Sequence, residues 1–129
     1  MSADPHGGPV GARAWEADAE ARARGRVQMF NATRPDALDG WTIPLQQYDL
    51  LREVILRTID LHGDEDGTVR LQTVVDEAQR ELGTHPAFPA GRLSNFVRFA
   101  KVDLEARGVV ERVPRSSPQR IRLRLDGPE

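Results

Sequence analysis

The chain contains no cysteine. Disulfides and thiolate metal sites are therefore excluded, and nothing calls for an oxidising compartment. Lysine is almost missing too: of 18 basic residues, 17 are arginine and only Lys101 is lysine, a bias that a GC-rich genome commonly produces. Aromatic residues make up 5% and apolar residues 39% of the 129 positions. The second figure is below the roughly 45–50% usual in globular domains when glycine is counted, so part of the chain is expected to lie outside a core. No apolar run approaches the roughly 20 residues that span a bilayer. No basic segment followed by an apolar one opens the chain, so no signal peptide is expected. These absences point to a cytoplasmic protein with no membrane partner.

Chemistry-bearing motifs are missing as well. There is no GxGxxG and no phosphate loop. His6, His62 and His85 are dispersed, with no ligand spacing between them, and no serine, histidine and acid arrangement suggests a triad. Asp64-Glu65-Asp66-Gly67 resembles calcium chemistry only superficially. With Gly67 at the sixth position of an EF-hand loop, the first position falls on His62 and the twelfth on Thr73. A hard cation needs oxygen at the first and a bidentate Glu at the last. An acidic solvent loop, no metal, no cofactor and no enzymatic activity are the expectations.

What is present is organised around Phe88 to Leu125. Leu93, Phe96, Val97, Ala100 and Leu104 recur at i, i+3, i+4, i+7 and i+11, one face of a 3.6-residue helix. Pro89 suits the first turn of that helix, Gly108 its end, and Arg107 the last turn, where a cation complements the helix dipole. After Gly108 the period changes to two. Val109, Glu111 and Val113 share one side of a strand, Pro114 to Gln119 form a turn, and Ile121, Leu123 and Leu125 alternate with Arg120, Arg122 and Arg124. A long helix, a glycine stop and a hairpin make the second half of a winged helix-turn-helix.

Upstream, Tyr48, Leu51, Ile55 and Ile59 form the stripe of a helix after Pro44, widened by Leu50 and Val54 and ending near Gly63. Thr68-Val69 is a short strand. Leu71, Val74, Val75, Ala78 and Leu82 repeat the helical spacing up to Gly83. Before these, Val27 and Met29 alternate with Gln28 and Phe30, Trp41-Thr42-Ile43 is a second β-prone piece, and Asn31, Pro35, Asp36 and Asp39-Gly40 between them are turn formers. Ala12 to Arg24 is rich in helix formers, but Trp15 is its only large apolar side chain, so a helix there needs a partner surface. The expected organisation is an α+β winged helix-turn-helix domain over 26–125, with a hairpin-like extension at 26–44. A disordered or partly helical arm covers 1–25 and a tail covers 126–129.

Charge sharpens the functional reading. Residues 84–125 carry +6, residues 1–83 carry −6, and the last four add −2. A basic half on an acidic chain is an electrostatic footprint for a polyanion, although arginines also simply solvate exposed faces. Arg92, Asn95 and Arg98 are candidates for base edges, since arginine suits guanine and asparagine suits adenine. Arg115, Arg120, Arg122 and Arg124 are candidates for phosphates, which position without specifying, and Lys101 and Arg112 are further candidates for contact with DNA. Against this stand Phe99 and Val102, which fall opposite the core stripe and call for cover, either from the hairpin with Trp41 or from a second subunit. Two functions therefore stand side by side: a small DNA-binding regulator acting on double-stranded DNA, or an interaction or homodimer module with Trp41, Phe99 and Val102 in its interface.

Two resemblances attach to these residues. The run Asn95-Phe96-Val97-Arg98-Phe99-Ala100, followed by Leu104, Gly108, Val109, Val110, Glu111 and Arg112, resembles the winged-helix domain at the N-terminus of Mrr-type restriction proteins, in which an aromatic occupies the position of Phe99. That resemblance implies DNA binding without a nuclease, since no PD-(D/E)xK-type domain fits the length. Phe88-Pro89-Ala90-Gly91, Asp103-Leu104-Glu105-Ala106-Arg107-Gly108 and the segment Asn31 to Pro35 are similar to a group of small bacterial proteins of unknown function. This second likeness covers about 27–125 and implies no activity.

Overall fold

A computed structural model describes residues 10–124. The elements in chain order are α1 (Ala12–Ala23), β1 (Arg26–Phe30), β2 (Leu38–Pro44), α2 (Leu45–His62), β3 (Thr68–Arg70), α3 (Leu71–Leu82), α4 (Leu93–Ala106), β4 (Val110–Arg112) and β5 (Arg120–Leu123), with a single 3-10 turn at Pro35–Ala37. The architecture is α+β: four helices, an antiparallel β1-β2 hairpin, and a three-stranded antiparallel sheet in the order β3-β5-β4. No helix among the described residues is long and apolar enough to cross a membrane.

The helical stripes become the main core. α2 buries Tyr48, Leu51, Val54, Ile55, Thr58 and Ile59; α3 buries Leu71, Val74, Val75, Ala78 and Leu82; α4 contributes Leu93, Val97, Ala100 and Leu104. Ile121 closes one side from the middle of the sheet, paired with Val69 on β3 and Arg112 on β4. Leu123, expected on the same packed face, is instead 41% exposed. It is the last residue of β5, where the core has already ended.

Two further departures have local causes. α4 begins at Leu93, not at Pro89. Gly91 sits at φ +78°, a left-handed conformation that cannot belong to a right-handed helix, so residues 89–92 form a turn. β2 begins at Leu38, so Asp39-Gly40 lies inside the strand. Between the pairs Gln28–Thr42 and Phe30–Leu38 the register slips. Gly40, at φ +81°, takes up this bulge at the cost only a glycine avoids.

β1 is buried on both faces. Val27 and Met29 join the main core, as their alternation implies. Phe30, on the other face, enters a second, smaller core with Val10, Ala14, Ala37 and Ala106, flanked by Trp15 and Leu38. α1 supplies that cover: Ala14, Asp18 and Ala21, at i, i+4 and i+7, lie flat on the strand. Trp15 meets Phe30 edge-on at 5.1 Å. Small side chains on one narrow face let a helix without an apolar stripe pack closely.

Candidate nucleic-acid interface and the buried arginine behind it

The exposed side of α4 is confined to its first half. Arg92 precedes the helix, and Asn95 and Arg98 follow on its outer face; all three are exposed. On the wing, Arg112 and Arg115 are exposed too. Arg92, Arg98, Arg112 and Arg115 have no carboxylate partner among the described residues. Arg98 lies one turn before Lys101 and Val102, which share a cleft with Arg112 and the turn residues Asn31, Ala32 and Thr33. Helix and wing thus approach each other on that side. Arg70 was not singled out from the sequence. It is also exposed, has no carboxylate partner among the described residues, and lies opposite Arg120 in the sheet.

The other expected contacts are engaged internally. Lys101 is buried, 7% exposed, and its Nζ donates to Gln119 Oε1 at 2.9 Å and to Glu105. It braces the wing against α4 rather than facing outward, because position 101 points at the hairpin turn. Arg120 Nη2 donates to Asp64 Oδ2 at 2.8 Å and its Nε to the Thr68 hydroxyl at 3.0 Å. Arg122 Nε donates to Glu111 Oε2 at 2.7 Å, straight across from it on β4. The alternation placed Arg120 and Arg122 on one face correctly, but the neighbouring strand and loop return a carboxylate to each. Arg124 is exposed, and its backbone N–H donates to the Val109 carbonyl at 3.0 Å.

The acidic loop has a structural use. Asp64 accepts from the backbone N–H groups of Asp66 (3.0 Å) and Thr68 (3.2 Å) and from the Thr68 hydroxyl. The Thr68 N–H, with the other donors and Arg120, holds its carboxyl below the usual range. No group of three or more side chains that could hold a metal occurs among the described residues.

Trp41 and Phe99 meet edge-on at 5.2 Å. The Trp41 indole Nε1–H donates to Asp39 Oδ2 at 2.8 Å, which fixes the ring. Of the two sources of cover that Phe99 called for, the hairpin provides part: Phe99 is still 47% exposed, Val102 and Trp41 partly so.

One turn further along α4 from Phe99 begins a polar cluster built around Asp103 and Arg107. Arg107 does not reach for the helix C-terminus; it turns inward, its side chain 8% exposed. Its Nε donates to Asp103 Oδ1 at 2.7 Å, Nη1 to Asp18 Oδ2 at 3.1 Å, and Nη2 to the Gln28 carbonyl at 2.9 Å. The guanidinium carbon stands 4.1 Å from the Phe30 ring centre and 5.3 Å from that of Tyr48. Asp103, fully buried, also accepts from the Tyr48 hydroxyl at 2.6 Å and from the Phe30 N–H at 2.9 Å. The Gln28 N–H donates to Asp18 Oδ1 at 3.0 Å. Gln28 and Phe30 are two apart on β1, so these groups lie along one edge of the strand. Two carboxylates and a guanidinium thus satisfy that edge as a further strand would.

Burial alone would push the Asp18 carboxyl up, but Arg107 and then Arg22 outweigh it and hold it below the ordinary range. Burial dominates at Asp103, whose carboxyl is pushed up against the charge of Arg107 and its three donors. Burial and then Asp103 raise the Tyr48 phenol far above its usual value. Burial opposes the charge on Arg107, but Asp103 and the other partners more than offset it. The charged groups of this cluster are partnered within it and join α1, β1, α2 and α4, so the cluster fits a structural lock.

A model for a family of unknown function, DUF6958, matches residues 26–121. The chain belongs to that family. No curated protein and no solved structure matches it. The DUF6958 span opens on the first residue of β1 and closes within β5. It holds Gln28, Phe30, Tyr48, Asp103 and Arg107, while Asp18 on α1 lies outside it. The arm therefore adds the second carboxylate to a cluster whose other members all belong to the DUF6958 region.

Proposed function

We propose that residues 45–123 form a winged helix-turn-helix, with α2, α3 and α4 as its three helices and the β4–β5 loop as its wing, and that it binds double-stranded DNA as a small regulator. The observation that carries this reading is the sorting of its basic residues. Lys101, Arg107, Arg120 and Arg122 are tied to carboxylates of the same chain, whereas Arg92, Arg98, Arg112 and Arg115 are exposed with no carboxylate partner among the described residues. Four unneutralised guanidinium groups on the first half of a long helix and the adjoining hairpin suit a phosphate backbone. On this reading Arg98 and Asn95 meet base edges, and Arg92, Arg112 and Arg115 hold phosphates. The likeness of residues 95–112 to the Mrr-type winged helix supports the same reading.

The test is a salt titration of binding to random-sequence duplex. Affinity should fall with a log–log slope between about −2 and −4, at about −0.9 per phosphate contact. The Arg112→Ala and Arg115→Ala variants should each flatten the slope by about one, while Arg120→Ala and Arg122→Ala leave it unchanged. No affinity for duplex at low salt would end the proposal.

A second reading rests on Phe99, 47% exposed beside Trp41. On it the same face is a protein-docking or homodimer surface without DNA. It requires Phe99→Asp or Val102→Asp to change the size of the particle in solution, with no salt-dependent duplex binding.

A further inference from the structure

Phe99 is the least expected residue on the exposed part of α4, which also carries Asn95 and Arg98. It follows Asn95 by four positions, so the two side chains stand one above the other on the same face, about 6 Å apart along the axis. Arg98 stands beside them. Glu105, the partly exposed carboxylate of α4, is tied to Lys101. The Phe99 ring is not loose: its contact with Trp41, at 5.2 Å, is backed by the bond from the indole to Asp39 at 2.8 Å. Asp39 is in turn countered by Arg34 at 3.4 Å. The result is a fixed aromatic edge, one side packed and the other open, within a basic rim and one turn from an amide free to hydrogen-bond.

A major groove offers a matching pair of features. Adenine presents a donor and an acceptor that an asparagine amide can take together, and thymine presents a 5-methyl group that prefers an apolar neighbour. We propose that α4 reads an A/T-containing step in this way. Asn95 would take the adenine edge, Phe99 would cover a thymine methyl, and Trp41 would act as the positioning residue that holds Phe99 in place. This specificity rests on the duplex-binding reading above. Charge complementarity favours DNA as the occupant over an apolar protein surface, since Arg92 and Arg98, which flank the aromatic edge, would otherwise have to be buried without partners.

The experiment begins with a duplex enriched from a random pool by the full chain. Its thymines are then replaced by deoxyuridine, which removes the methyl groups and keeps every hydrogen bond. The native chain should bind the uracil duplex about four-fold more weakly per methyl covered, the worth of one buried methyl-sized group. Phe99→Ala should bind both duplexes equally. Phe99→Leu, which keeps an apolar side chain at an exposed site, should retain the difference. Asn95→Ala should lose preference at the paired adenine by about ten-fold. Equal, salt-dependent binding of both duplexes by the native chain would overturn the thymine assignment and leave DNA binding intact. Absence of salt-dependent binding to any duplex would overturn both.

Discussion

Arg107 places a full charge where water scarcely reaches, and its neighbours are chosen to make that tolerable. Removing one partner of such a buried pair costs about 3–5 kcal/mol, because the other charge is left stranded. Asp103→Ala and Arg107→Ala should therefore each lower stability by that amount, measured by denaturant unfolding. Tyr48→Phe, which removes one donor and keeps the ring over the guanidinium, should cost about 1–3 kcal/mol. Asp18 adds a dependence on pH. Its folded value lies below the unfolded one, so the stability it lends is complete above about pH 4 and is lost as pH falls through the lower, folded-state value. Asp103 titrates in the opposite sense and adds nothing to this loss. Trp15, packed on Phe30, reports the docking of α1. In a Trp41→Phe background its emission should shift on acidification, and Asp18→Asn should remove the shift.

At the scale of the element, α1 behaves as a cover held by a narrow set of contacts. A chain lacking residues 10–24 loses Asp18, uncovers Phe30 and leaves Arg107 with one carboxylate. It should unfold at markedly lower denaturant concentration and self-associate through the uncovered apolar surface around Phe30, which light scattering would detect. The helices themselves were legible from spacing: the stripes at 51–59, 71–82 and 93–104 are the buried faces observed. The start of α4 and the extent of β2 were less so, since each depends on a glycine at positive φ, Gly91 and Gly40, and the sequence does not say which glycines adopt it. The fate of the wing arginines turned on register. The pairing of Glu111 with Arg122, and of Arg120 with Asp64, matches charges expected in solvent.

Across the whole molecule, what stayed hidden is what lies far apart along the chain. Tyr48 and Asp103 are 55 residues apart, Phe30 and Asp103 are 73, and Asp18 and Arg107 are 89. No periodicity links such positions. The i, i+4 spacing of Asp103 and Arg107 is of the kind common on helix surfaces and gives no sign of their burial. The candidate face was partly legible: Arg92, Asn95, Arg98, Arg112 and Arg115 are outward, and Lys101 is not.

The lock on β1 also imposes an order on the making of the protein. The strand is synthesised before Asp103 and Arg107, which occupy its edge and follow some seventy residues later, and β5, the middle strand of the other sheet, comes after both strands it joins. A nascent chain must therefore carry an open strand edge and an incomplete sheet until residues 103–123 leave the ribosome, when both close within a short stretch of chain.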